Sequence, residues 1–139
     1  TYFRMLLLIP IFGWYLKKIG SISIKRGQIT KDNLGFYDEI LSAVKSSDRP
    51  LIIFPQGTRV LPHERPPFKK GASRIYEKLQ IACQPIAINS GYVWPKSGRK
   101  ISDKTITVSI IPKIKNDLNK EIFLKTLEDK IYSELNLMN

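Results

Sequence analysis

The stretch best equipped for chemistry is Phe54-Pro55-Gln56-Gly57-Thr58-Arg59, which follows the apolar run Leu51-Ile52-Ile53-Phe54. Pro55 and Gly57 force the chain to turn at the carboxyl end of a strand-length segment. Gly57 allows a ligand to approach the backbone closely or the backbone to take a positive φ, Thr58 adds a hydroxyl, and Arg59 offers a planar fork of donors suited to a phosphate. In sheets flanked by helices, ligands sit beyond the carboxyl ends of strands, so this turn is the first place to look for a site. On its own, a six-residue turn with one Arg is more often an ordinary loop than a site.

Few other residues offer reactive groups. The one histidine, His63, lies in a loop that holds four prolines together with the preceding turn, and it reads as solvated. The one cysteine, Cys83, follows Ile81-Ala82 and has no partner for an intrachain disulfide, which fits a small core residue in a reducing, cytoplasmic setting. A lone histidine and no acidic cluster supply no ligand set, so no metal is expected.

These residues must be positioned by a chain of 139 residues, enough for one α/β domain with a real core. Ser21 to Lys25 alternates polar and apolar as a short strand. Asp32 is a candidate N-cap for a helix with Leu34, Tyr37, Leu41 and Val44 on one face, ending near Ser47-Asp48-Arg49-Pro50. Leu51 to Phe54 reads as a strand covered on both faces. Ala72, Ile75, Tyr76 and Leu79 mark a second amphipathic helix, Pro85 to Ile88 another buried strand, and Thr105 to Ile111 a later one. Phe123 or Leu124 with Leu127, Ile131 and Leu135 line a closing helix. Alternating strands and helices imply an α/β fold with a mixed, mostly parallel sheet flanked by helices.

Charge narrows the partners. The chain has 23 Lys and Arg against 12 Asp and Glu, a net of +11. From Asn116 onward three Lys face five acidic residues, so residues 1–115 hold 20 basic against seven acidic side chains, or +13. Such a field draws polyanions: nucleic acid, an anionic lipid surface, or phosphorylated and CoA-linked small molecules. Met5 to Leu16 is almost wholly apolar, is broken by Pro10 and ends in Trp14-Tyr15 beside Lys17-Lys18. That run is too short for a bilayer, which needs about 20 residues, and suits either the headgroup boundary or the domain's own core. No signal-peptide pattern is present.

The hexapeptide resembles the Phe-Pro-Glu-Gly-Thr-Arg block of the glycerolipid acyltransferases, specifically the 1-acylglycerol-3-phosphate acyltransferases. Leu6, Gly13 and Arg26 repeat that family's Leu, Gly and Arg at both of its gaps, with Ile9-Pro10-Ile11-Phe12-Gly13-Trp14 and Gly20-Ser21-Ile22-Ser23-Ile24 between them. Downstream, Phe68-Lys69-Lys70-Gly71-Ala72, Gln84-Pro85-Ile86-Ala87-Ile88-Asn89-Ser90-Gly91 and Tyr92-Val93-Trp94-Pro95 continue the likeness, in order and over most of the chain. The resemblance implies transfer of a fatty acyl group from acyl-CoA or acyl-carrier protein to lysophosphatidic acid, at the cytoplasmic face of a membrane, with no cofactor beyond the acyl co-substrate. It implies that Arg26 and the Gly57-Thr58-Arg59 turn hold the acceptor's phosphate, that Gln56 orients substrate, and that Pro85 and Ile86 help shape the acyl side.

The pattern is incomplete. The family's catalytic His, separated from an Asp by four residues, falls ahead of the first block seen here, and Phe68 stands where such an Asp would follow His63. A family Lys is replaced by Phe3, with Arg4 beside it, and the turn's Glu by Gln56, which keeps a carbonyl acceptor and loses the charge. The resulting expectation is a single acyltransferase-like domain over 1–139, N-terminally incomplete and without turnover of its own. The alternatives are a non-catalytic lipid-binding module at the membrane surface and a basic nucleic-acid-binding domain; the latter lacks any known motif, so no nucleic-acid partner is expected.

Overall fold

The computed structural model describes residues 10–20, 33–96 and 98–138. Two compact units make up the chain, Thr1–Leu51 and Ile52–Asn139. In the first, helix α1 (Pro10–Lys18) buries Leu16 and exposes Ile11, Trp14 and Tyr15. Lys18 Nζ lies 4.8 Å from the centroid of the Trp14 ring, a cation–π contact that holds the two residues together on the exposed side. Helix α2 (Asn33–Lys45) follows the expected period, with Tyr37, Leu41 and Val44 half-buried. Its deepest residue is Ile40, on the same stripe and absent from the expected face. The candidate cap Asp32 and the strand expected at Ser21 to Lys25 lie outside the described residues.

The second unit is built on two helices. Helix α3 (Gly71–Leu79) buries Ala72, Ser73, Ile75 and Tyr76, and ends where Gln80 adopts a left-handed conformation and donates its N–H to Tyr76 O. Helix α4 (Lys120–Leu137) begins at Asn119, whose side chain accepts from Ile122 N at 2.8 Å and satisfies one of the free N–H groups of the first turn. The rings of Tyr76 and Phe123 stack at 3.7 Å across the two helices, and Phe68, Ile114 and Leu127 complete the core around them. Apolar spacing in both helices thus places their buried stripes against each other.

The sheet departs from expectation. Strands β1 (Ile86–Ile88) and β2 (Val108–Ile110) pair antiparallel, with Ile86 opposite Ile110 and Ile88 opposite Val108. Among the described residues only a three-residue 3-10 turn, Ser90–Tyr92, lies between them, too short for the crossover that a parallel pair needs; the mostly parallel sheet is therefore not what the described residues form. Nor is β1 covered on both faces. Ala87 is 1% exposed, but Ile86 and Ile88 remain 49% and 46% exposed, and with Val108 and Ile110 they share one open face. The opposite face turns toward α4, where Ser109 Oγ donates to Glu134 Oε1 at 2.6 Å.

Leu51 to Phe54 is likewise not a strand: Ile52 and Phe54 are 75% and 79% exposed. The carbonyls at its end, of Phe54 and the following Pro55, serve the turn instead. Phe54 O accepts from Gly57 N, and Pro55 O accepts from Lys69 N at 2.8 Å, bonds that close the loop rather than build a ladder.

Candidate functional site

The turn has the backbone its glycine suggested. Gly57 adopts φ +70°, a region in which a side chain is strained, and a Cβ there would meet Lys69 Cγ at 3.3 Å. Gly57, Thr58 and Arg59 are all exposed. Among the described residues Arg59 has no hydrogen-bond or ion-pair partner, so its guanidinium keeps every donor available to an anion.

Gln56 is placed differently. It is half-buried, and its Nε2 donates to the hydroxyl of Tyr132 on α4 at 3.4 Å. The Tyr132 hydroxyl in turn donates to Pro66 O, which lies beyond the turn. Phe68 packs edge-on to the Tyr132 ring with centroids 5.0 Å apart, and the Arg65 guanidinium lies 5.6 Å from the ring's centroid. Burial pushes the Tyr132 hydroxyl above its ordinary value, the Glu128 carboxylate adds to that, and the Gln56 bond and Arg65 charge oppose it. Tyr132 is therefore a neutral donor at physiological pH.

Arg65 is tied down. Its Nη1 donates to Pro62 O at 2.5 Å and Glu64 O at 3.1 Å, and its Nη2 to Asn136 Oδ1 at 3.2 Å. Glu128 Oε2 accepts from Phe68 N at 2.6 Å. Sequence reasoning missed this set of contacts. The signal was the four-residue spacing of Glu128, Tyr132 and Asn136, one polar stripe along a helix.

The other described candidates, Pro85 and Ile86, belong with the β1–β2 pair rather than with the turn. Arg26 lies outside the described residues. Pro85 is fully buried and its carbonyl accepts from Ile111 N at 3.1 Å, while Ile86 faces outward on the open side of the β1–β2 pair. A recess of about 350 Å³ is lined by Pro95, Arg99, Lys100, Ile101 and Ser102, none of which belongs to the turn. His63 is exposed. Cys83 is half-buried with its thiol pushed up by burial, and its backbone pairs with Ile114 in both directions at 2.9 Å. Among the described residues no His, Cys, Asp and Glu group suited to a metal occurs, and no helix is long and apolar enough to cross a membrane.

An exposed Gly-Thr-Arg turn with a free guanidinium, closed by backbone bonds and set against a helix, is an anion-binding geometry. The family pattern described as Acyltransferase matches residues 3–89, which include the turn and the start of the β1–β2 pair. A 1-acyl-sn-glycerol-3-phosphate acyltransferase of Pseudomonas aeruginosa is 34% identical over 112 residues, covering 78% of this chain and 42% of that protein. The protein of the same name from Helicobacter pylori is 42% identical over 87 residues, 59% of this chain and 35% of its own. That of Saccharomyces cerevisiae is 31% identical over 94 residues, 65% and 31% respectively. No solved structure matches the chain. The chain belongs to the acyltransferase family, and its relatives there are named as 1-acyl-sn-glycerol-3-phosphate acyltransferases. It spans less than half the length of each of these relatives.

Proposed function

We propose that the chain supplies the acceptor-binding part of an enzyme that transfers a fatty acyl group from acyl-CoA or acyl-carrier protein to 1-acylglycerol-3-phosphate, giving phosphatidic acid. The observation that carries this reading is the exposed Arg59, without a partner among the described residues, next to Thr58 and the positive-φ Gly57, in a chain with the relatives named above. A phosphomonoester with nearly two negative charges needs fixed donors, and a guanidinium supplies charge and orientation together. Arg26, at the family's second Arg position, is the further cation assigned to the same phosphate, and Pro85 and Ile86 are assigned to the acyl side. The reaction takes place at the cytoplasmic face of the membrane. Exposed Ile11, Trp14 and Tyr15 beside Lys18 support contact with that surface, since aromatic rings and lysines favour the headgroup boundary.

Acyl transfer also needs a base to take the proton of the acceptor hydroxyl. The only histidine, His63, is exposed and has Phe68 rather than an acid five positions on, where the family's pattern sets its Asp, so residues 1–139 bind acceptor without turning it over. That observation favours, as a second reading, a lipid-binding module without catalysis of its own.

The test is binding of lysophosphatidic acid and of monoacylglycerol, which lacks the phosphate, to the purified chain. Wild-type protein should prefer the phosphate-bearing lipid, and Arg59→Ala should erase that preference by about tenfold or more, the usual worth of a hydrogen bond to a charged group. Equal affinity of the wild-type chain for both lipids would sink the reading. Phosphatidic acid formed from lysophosphatidic acid and acyl-CoA above a boiled control would overturn the expected lack of turnover.

A further inference from the structure

We infer that Tyr132 is a positioning residue for the phosphate-binding turn, acting through Gln56, and that the amide at position 56 serves the protein rather than the substrate. This rests on the reading that Arg59 binds the acceptor's phosphate.

Residues 56–70 contain no helix or strand of their own, and Arg59 sits near one end of them. A segment of that length gains order only from contacts with something rigid, because fixing each free residue costs backbone entropy. The rigid partner is α4. Glu128, Tyr132 and Asn136 recur every four residues, so they lie on one stripe of the helix, and each takes hold of a different point of the loop. Glu128 holds Phe68 N and Asn136 holds Arg65.

Tyr132 alone of the three bridges the limb that precedes Gly57 and the limb that returns from it, through Gln56 Nε2 and Pro66 O. A phenol has one proton and accepts through its lone pairs. The proton is committed to Pro66 O, so the group at position 56 must donate. Gln does so. A carboxylate there would present a second acceptor to a hydroxyl with no proton left for it. The conformation of Gly57 and the direction of Arg59 two residues on thereby depend on a side chain 76 positions from Gln56. Tyr132 also lies beyond the 3–89 stretch that the family pattern covers, and so outside the reach of that comparison.

The experiment is a double-mutant cycle on the full 139-residue chain, read as affinity for lysophosphatidic acid and for monoacylglycerol, with thermal unfolding alongside. Tyr132→Phe keeps the ring against Phe68 and removes only the hydroxyl. It should weaken lysophosphatidic acid binding by about three- to tenfold, the worth of roughly one hydrogen bond, and leave monoacylglycerol binding alone. Combined with Arg59→Ala it should cost no more than Arg59→Ala by itself, since a misplaced turn has nothing further to lose once its guanidinium is gone.

An unchanged Tyr132→Phe beside a weakened Arg59→Ala would overturn the inference while leaving the phosphate reading standing. Additive losses would do the same, by showing that Tyr132 acts elsewhere. An Arg59→Ala chain that binds both lipids like wild type would instead remove the reading underneath. Should Tyr132→Phe fail to fold, Gln56→Leu breaks the same bond from the loop side and decides by the same outcomes. Gln56→Glu adds a pH signature: its weakened binding should recover, relative to wild type at each pH, as acid protonates the carboxyl and restores a donor, a change that general loosening of the fold would not produce.

Discussion

Between Pro55 and Lys70 the chain has no helix or strand, yet it is fastened at several points, whereas β1 and β2 form a regular ladder with one face open to solvent. Loop and ribbon both lean on α4, but by different means. The loop is held at three points along the helix, by Glu128, Tyr132 and Asn136, and the ribbon by the Ser109–Glu134 bond with Ala87 buried. Regular structure and a fixed position are thus separate properties. The proposed phosphate site lies on the irregular segment, which can expose Arg59 while its flanks are tied down.

The comparison breaks most severely if α4 itself is released. Phe123 is 2% exposed and stacks on Tyr76 at 3.7 Å, so it joins α4 to α3 and thereby supports both loop and ribbon. Phe123→Ala should cost about 3–5 kcal/mol through lost burial and the cavity left behind. That is a large share of the roughly 5–15 kcal/mol of a typical domain. Urea unfolding followed by circular dichroism should show most of the cooperative transition lost, and lysophosphatidic acid binding lost with it. A transition close to that of wild type would mean that loop and ribbon do not depend on this contact.

A smaller change tests the loop by itself. Gly57→Ala imposes a side chain at φ +70° and brings its Cβ within 3.3 Å of Lys69 Cγ, the middle of a flexible side chain that can give way. The backbone term dominates, and about 1–2 kcal/mol should be lost. Binding should suffer more than stability, since the turn can relax into another conformation that points Arg59 elsewhere while the Glu128 and Asn136 contacts hold. Equal affinity for lysophosphatidic acid in the variant would show that the positive φ does not serve binding.

These two positions differ in how far the sequence revealed them. The Gly57 turn was legible because glycine after proline at the end of an apolar run has a local cause. Helices α3 and α4 were legible for the same reason, their buried residues recurring at helical spacing. The tether was not. Glu128, Tyr132 and Asn136 read as the polar side of an amphipathic helix, and their partners lie 60, 76 and 71 positions away, where no local pattern reaches. The apolar runs at Leu51 to Phe54 and Pro85 to Ile88 suggested doubly covered strands. Composition reports the capacity of a segment to be buried, and cover must come from other parts of the structure.

The ribbon supplies the mildest test. Ile110 is 72% exposed on the open face, opposite Ile86 and beside the row that includes Val108. Thr at that position keeps a β-branched side chain and so keeps strand preference, while removing apolar surface that the folded chain barely buries. Ile110→Thr should therefore change the unfolding free energy by no more than about 0.5 kcal/mol, as for other exposed positions. Because Ile110 belongs to the ribbon and not to the tethered loop, affinity for lysophosphatidic acid should stay as in wild type. A loss of stability near that of Gly57→Ala would mean that this face is covered in solution, and that the contrast between a fastened loop and an uncovered ribbon does not describe the working molecule.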